Sequence, residues 1–265
     1  MSQDSVESVL CERRGPVALV TLNRPAQRNA LSRELLGRLG RIGRELLADS
    51  ELRLVVVTGS GDRAFCAGAD LVERATMNED EVRAQLVSYR TELAWLSDPA
   101  LPSLALLNGA ALGGGLELAL CCDFRLAHES ALLGLVETSL GVIPGAGGTQ
   151  RLPRLIGAAR AKDLILRARR ITAGEAAQIG LVHEVFPGPH EELLDWALRW
   201  SEPLLASAPL AARAALRAID EGLDGDLANG LSRELEAYEL CLTSEDRLEA
   251  LAAFREKRRP NFRGR

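Results

Sequence analysis

"SLALLNGAALGGGLELALCCDFRLA", Ser103 to Ala127, is the stretch whose reading decides the fold. It opens on a buried-strand run, "SLALLNG", that ends in a glycine turn. It then passes through Gly113, Gly114 and Gly115 into an apolar helix carrying one acidic residue, Glu117. Two readings fit. In one, the glycines are a tight turn and Glu117 faces water. In the other, they bare backbone amides at the positive end of a helix, where unpaired N–H groups receive negative charge, and Glu117 is aimed at whatever those amides hold.

Working outward, the same strand, turn and helix order repeats. Upstream, "LRLVVVTG" is another buried strand, and in "SRELLGRLGRIGRELLADS" Leu35, Leu39, Ile42 and Leu46 recur at helical spacing behind Ser32 as N-cap. The β-branched runs "SVESVLCE" and "VALVTLN", split by "RRGP", read as a hairpin or strand pair. Repeated strand–helix–strand order predicts right-handed crossovers stacked into a largely parallel sheet. From about Glu191 the pattern becomes helices alone, so we expect a βα core over residues 1–190 and a helical part over 191–265.

Composition removes several function classes. The chain has 265 residues, 47% of them hydrophobic, enough for one large core or a main domain with a small one appended. The net charge of −5 supplies no global basic field for nucleic acid or an anionic membrane, so an anionic ligand must be held locally. Five cysteines, without paired metal-site spacing, suit a reduced cytoplasmic protein. "MSQDSVESVL" lacks the basic and apolar regions of a secretory signal, and no segment is long and apolar enough to span a bilayer. The glycine clusters match neither GxGxxG nor GxxxxGK[ST], and GxSxG is absent. His128, His183 and His190 lie in segments without a nucleophile signature, which disfavours serine–histidine catalysis and zinc binding.

What remains is four segments, each just beyond a strand or helix end: "NRPAQRNAL" (23–31), "AFCAGADL" (64–71), "GAALGGGLELA" (109–119) and "GLVETSLGVIPGAGGTQRLPR" (134–154). Ligand sites in open α/β sheets cluster at the carboxyl ends of strands, so convergence of these turns is expected. The Ala-Gly-Ala run and the glycines at 113–115 each offer an unpartnered amide, and two amides aimed at one oxygen make an oxyanion hole. Taken alone, Glu117 also reads as an exposed helix residue and Glu137 as a salt bridge at a loop end.

In order and spacing these four segments resemble the enoyl-CoA hydratase/isomerase (crotonase) superfamily over nearly the whole chain. The resemblance implies a ClpP/crotonase-like α/β fold of repeated ββα units with a helical C-terminal trimerisation region, assembled as a hexamer, a dimer of trimers. It places the thioester-binding amides on Ala69 and Gly114 and the catalytic pair on Glu117, activating water, and Glu137, transferring a proton at Cα. CoA would lie against Ala67, Ala69, Asp70 and Leu71, with its phosphates near Arg24 and Arg28 and contacts from Phe254 and Lys257 of a neighbouring subunit. No metal and no cofactor are implied, CoA being part of the substrate. One departure stands out: many relatives carry lysine where this chain has Val72, so one phosphate contact is either absent or supplied by Arg74 or another residue.

Retention of both glutamates favours hydration over isomerisation, thioester hydrolysis or decarboxylation. "FCAGADLVERATM", "GLVETSLGVIPGAGGTQRLPR" and "TSEDRLEALAAFREKRRPNFRG" are most similar to the methylglutaconyl-CoA hydratases of leucine degradation; a broad short-chain enoyl-CoA hydratase is the alternative. A distal acyl carboxylate needs a cation or several donors; Arg74, Arg83 and Arg90 are the candidates, none singled out by the sequence and each also readable as a solvated helix residue. A vertebrate member of that subfamily binds AU-rich RNA through a lysine-rich first helix. Here the helix has Arg33, Arg38, Arg41 and Arg44, and Glu34–Arg38 and Arg41–Glu45 at i, i+4 spacing are expected to compensate part of the charge. A solvated helix face is therefore the expectation, and RNA binding the alternative of a different class.

Overall fold

A computed structural model describes residues 7–265. Ser5 and Val6, at the start of the first expected strand, lie outside the described residues. The elements β1 (Val9–Arg14) and β2 (Val17–Leu22) form the expected antiparallel hairpin, with Arg14 paired to Val17. Next comes α1 (Arg33–Leu47), capped by Ser32 Oγ, which accepts from Leu35 N at 3.2 Å. Its buried face is Leu35, Leu36, Leu39 and Ile42, each contributing roughly 1.5–3 kcal/mol of apolar burial before conformational entropy is counted.

Three ββα passages follow. The first is β3 (Leu54–Gly59), β4 (Ala64–Cys66), α2 (Leu71–Arg74) and α3 (Glu79–Leu93). The second is β5 (Ser103–Leu107), β6 (Ala110–Leu112) and α4 (Gly114–Cys121). The third is β7 (Phe124–His128) and β8 (Leu132–Gly134), then a 3-10 turn at Glu137–Leu140, α5 (Gly148–Ile156) and α6 (Ala158–Leu166). β9 (Ile171–Thr172), α7 (Ala173–Gln178) and β10 (Glu184–Phe186) complete the sheets.

The first strand of each passage enters one sheet and the second strand enters another. The larger sheet runs β1-β2-β3-β5-β7-β10, parallel after the first pair; the smaller runs β4-β6-β8-β9. β3 and β5 are buried almost throughout, as strands covered on both faces must be. In the smaller sheet β4, β6 and β8 are parallel neighbours, with Cys66 opposite Ala111 and Leu112 opposite Gly134. Their carboxyl ends therefore lie side by side, and the segments leaving them, "AGAD", "GGGLE" and "LVE", start from adjacent points.

The helices continue with α8 (Leu193–Ala206), α9 (Pro209–Leu223), α10 (Leu227–Leu242) and α11 (Glu245–Glu256). Two compact units separate within α8, after Ala197, and Asp98–Pro102 belongs to the second. In that unit α9 and α10 approach closely, a Cβ on Gly222 falling 3.4 Å from the Gly230 Cα. The C-terminal tail is stitched to α11: the Asp246 carboxylate accepts from Arg263 N at 2.6 Å and Gly264 N at 2.8 Å, and Glu249 accepts from Asn261 N at 2.8 Å.

Candidate active site

Each of the three glycines at the head of α4 answers to a different neighbour. Gly113 has φ 51°, a left-handed conformation that glycine adopts without strain, and a Cβ there would stand 3.1 Å from Glu137 Oε1. A Cβ on Gly115 would fall 2.1 Å from Cys66 O, so only a bare backbone lets α4 sit on β4. A Cβ on Gly114 would point into the space before the Ala69 amide, 3.6 Å from its nitrogen. Ala69 and Gly114 thus face one another across a gap one small group wide, and neither N–H has an acceptor among the described residues.

The Ala69 side of that gap is held by backbone. Ala67 N donates to Arg28 O at 3.0 Å, Leu31 N to Gly68 O at 2.8 Å, and Asp70 N to Leu31 O at 3.2 Å. Asp70 caps α2, its Oδ1 accepting from Val72 N and Glu73 N at 3.2 Å each, while Oδ2 accepts from Arg24 Nη1 at 2.9 Å. Burial alone would raise the Asp70 carboxyl; the Glu73 amide and Arg24 outweigh it and hold it below the usual carboxylate range. Arg24, expected near the CoA phosphates, also donates to Ala30 O at 2.7 Å and so ties the first segment to the second.

Glu117 is 3% exposed, which overturns its reading as a helix residue facing water. Its Oε1 accepts from Ala146 N at 2.8 Å and Gly148 N at 2.7 Å, the amides of the loop entering α5. Burial raises its pKa, opposed by those backbone hydrogen bonds and by the Arg151 guanidinium. Glu137, at the start of its 3-10 turn, makes no salt bridge with any described residue, and its Oε2 is buried without a hydrogen-bond partner. Burial, reinforced by the charge of Glu117, pushes its pKa up to about 7. Two buried carboxyl groups, one with backbone donors on an oxygen and one with an oxygen that has none, therefore lie beside two free amides. Ala146, Gly148 and Arg151, which fix Glu117, lie in the fourth segment, but nothing in their sequence marked them individually as carboxylate partners.

The other candidates separate. Arg28 is exposed and has no ion-pair partner among the described residues, while Leu71 is 57% and Val72 83% exposed. Arg83 pairs on the surface with Glu79 and Asp80, at 2.7 Å each, and Arg90 is exposed. Arg74 is half-buried, with its Nε wholly buried and unpartnered. In the second unit Phe254 is 85% exposed and Lys257 ends α11 in the left-handed conformation. On α1 the expected i, i+4 compensation is replaced by longer-range pairs, because the helix packs beside acidic residues of other segments. Arg33 pairs with Glu73 and Glu81, Arg38 with Glu7, and Arg44 with Glu92. Among the described residues no group of three His, Cys, Asp or Glu side chains is arranged to hold a metal ion, and no helix is long and apolar enough to cross a membrane.

The ββα passages shared between two sheets define this chain as a crotonase-fold protein. The family profile described as Enoyl-CoA hydratase/isomerase matches residues 12–265, and the chain belongs to that family. It is 50% identical over 248 residues to the Bacillus subtilis protein named enoyl-CoA hydratase/isomerase YngF, covering 94% of this chain and 95% of that one. With mouse methylglutaconyl-CoA hydratase it shares 43% identity over 255 residues, 96% of this chain and 81% of the other. The crystal structure of an enoyl-CoA hydratase from Bacillus anthracis superposes with a TM-score of 0.94 at 47% identity, covering 98% of this chain and all of that one.

Proposed function

We propose that this chain adds water reversibly across the double bond of a 2-enoyl-CoA. The observation that carries the reading is the pairing of the free Ala69 and Gly114 amides with two carboxyl groups held in unlike surroundings. Hydration places the water oxygen on Cβ and a proton on Cα, and charge collects meanwhile on the thioester oxygen as an enolate. Two fixed amides stabilise that oxygen without reorganising, and losing one such donor typically costs about 10²–10³ in rate. Glu117, whose carboxylate form is supported by two amide donors, takes a proton from water as its oxygen bonds to Cβ. Glu137, whose burial favours the acid, gives its proton to Cα. Transfer of the water-derived proton from Glu117 to Glu137 restores both groups, so one water is consumed and nothing else.

The substrate we assign is 3-methylglutaconyl-CoA, hydrated to 3-hydroxy-3-methylglutaryl-CoA in leucine degradation or its reversal. Support comes from the 43% identity to the mouse enzyme of that name and from a half-buried cation, Arg74, suited to a distal carboxylate. CoA is assigned to the turn at Ala67–Leu71, with Arg24, the unpaired Arg28 and a neighbouring subunit's Phe254 and Lys257 as its contacts. Assembly as a hexamer fits the exposed stripe Leu227, Leu231, Leu235 and Tyr238 along α10, and the five free cysteines agree with a reducing compartment, which we take to be the cytoplasm. The deciding experiment is a panel of crotonyl-CoA, 3-methylcrotonyl-CoA and 3-methylglutaconyl-CoA on the purified enzyme. Highest kcat/KM on the last supports the assignment. Preference for crotonyl-CoA leaves the hydration chemistry and removes the narrow substrate, and no hydration of any of the three removes both.

A further inference from the structure

Three neighbouring polar side chains of α2 and α3 carry buried atoms that lack a well-formed hydrogen bond, although Tyr89 and Arg74 lie close enough to interact. Gln85 is 2% and Tyr89 4% exposed, and one helical turn separates them, so they share a face of α3. Gln85 Nε2, Gln85 Oε1, Tyr89 Oη and Arg74 Nε are all buried without a hydrogen-bond partner. Leaving a buried donor or acceptor unmade costs about 1–3 kcal/mol each, so several together in a well-packed domain point to a partner that arrives from outside. Tyr89 neighbours Arg74 and feels the charge of Glu117, and Gln85 lies one turn away on the same face of α3. Burial pushes the Tyr89 phenol up to about 12, opposed by the adjacent Arg74 guanidinium and reinforced by Cys66 and Glu117. Leu86, on the same helix, presses on the loop that holds Glu117: a Cβ on Gly145 would lie 2.5 Å from Leu86 Cδ2.

We propose that Arg74, Gln85 and Tyr89 form a distal acyl subsite that selects CoA thioesters ending in a carboxylate. A guanidinium, a phenol and an amide N–H give three donors, one charged, which suits an anionic acceptor with two oxygens and repels nothing but cations. Arg83 and Arg90 play no part in it, being committed to the surface. An alkyl acyl chain would leave the three donors, Arg74 Nε, Tyr89 Oη and Gln85 Nε2, without an acceptor, so the site discriminates by the bonds it withholds as well as by attraction.

The proposal rests on the hydratase reading, and its test separates the two. Wild type, Arg74→Met, Arg74→Lys, Tyr89→Phe and Gln85→Leu are assayed on crotonyl-CoA and 3-methylglutaconyl-CoA, and their binding of the unreactive pair butyryl-CoA and glutaryl-CoA is measured by calorimetry. We expect Arg74→Met to lower the kcat/KM ratio of carboxylated to plain substrate by roughly 10- to 100-fold, chiefly through KM, the range given by a hydrogen bond to a charged group. Arg74→Lys should recover part of that ratio, and Tyr89→Phe and Gln85→Leu should lower it by several-fold, with the melting temperature unchanged or raised because buried unpaired polar atoms are removed. An unchanged ratio in Arg74→Met, or equal losses on both substrates, overturns the subsite. Absence of turnover in wild type sinks the hydratase reading, and the glutaryl-to-butyryl affinity ratio then still decides the subsite, equal affinities overturning it.

Discussion

Replacing Gly114 with alanine is the sharpest perturbation of the proposed oxyanion hole, because the added methyl is placed by the backbone and nothing else changes. The new Cβ falls 3.6 Å from Ala69 N, with Leu31 Cδ1 at 3.4 Å and Gly68 Cα at 3.7 Å. All three are ordinary van der Waals contacts, so the fold has room for it. Gly114 is the first residue of α4, where alanine suits the helix slightly better than glycine. Melting temperature should therefore be unchanged or a degree or two higher. Catalysis should not survive so well. A thioester oxygen must sit about 2.7–3.1 Å from each donor, and a carbon already in contact distance of Ala69 N leaves no volume for it. Displacement from one donor predicts a loss of about 10²–10³ in kcat, or roughly 2.7–4 kcal/mol of transition-state stabilisation. The assay follows loss of the enoyl thioester absorbance with crotonyl-CoA, beside a thermal unfolding curve of the same preparation. Turnover within about threefold of wild type at unchanged melting temperature would refute the placement of the oxyanion between these amides.

Glu117→Gln and Glu137→Gln should each lower kcat by about 10²–10⁴ with the fold preserved, the range for a lost general acid or base, and near-normal turnover in either variant would remove its assigned role. Hydration needs Glu137 protonated, so with its pKa near 7 the hydration kcat should fall as pH rises through about 7, and dehydration should rise; a flat profile in wild type would contradict this. The same shift has a stability consequence whose sign is fixed. The folded pKa lies above the unfolded value of 4.5, so the stabilisation is full below about 4.5 and lost as pH rises through about 7. Glu137→Gln should accordingly gain melting temperature relative to wild type at pH 8 compared with pH 5, and a difference independent of pH would refute it. AU-rich RNA should show no salt-dependent binding in a low-salt titration, since Arg33, Arg38 and Arg44 are already ion-paired; a steep salt slope would restore the alternative.

How much of this was legible in the sequence depended on the length of each element. β2, β3 and β5 run for five or six residues, and α1 carries its apolar stripe over four turns, so their periodicities are readable. The smaller sheet was invisible to that reading. Its strands "AFC", "AAL", "LLG" and "IT" are two or three residues long, too short for any alternation to show. Yet that sheet positions the site, since its three parallel strand ends deliver "AGAD", "GGGLE" and "LVE" to one place. Charge pairing failed for a related reason: i, i+4 spacing predicts partners within α1, whereas Glu73, Glu81 and Glu92 reach its arginines from α2 and α3. Gln85 and Tyr89 gave no signal either, because an inward-facing polar residue on a surface helix reads as solvated until its burial is known.

The asymmetry between the two glutamates is what turns a pair of carboxyl groups into a hydration site. Like charges held close resist double ionisation, so some difference in environment must decide which one keeps the proton. Here that difference comes from chain connectivity. Glu117 lies in the first turn of α4, opposite the loop that begins α5, and that loop's two free amides at Ala146 and Gly148 point at its Oε1. Such donors favour the carboxylate. Glu137 stands over Gly113, where only a hydrogen atom separates it from backbone, and its Oε2 meets no donor at all. A buried oxygen without a donor favours the acid. The glycine that brings Glu137 against the α4 turn thus also withholds the side chain that would have shielded it, and the next glycine opens the amide beside it. Substitution at position 113 should therefore perturb the acid, seen as a shifted pH profile, whereas substitution at 114 should perturb the oxyanion, seen as a loss of rate at every pH.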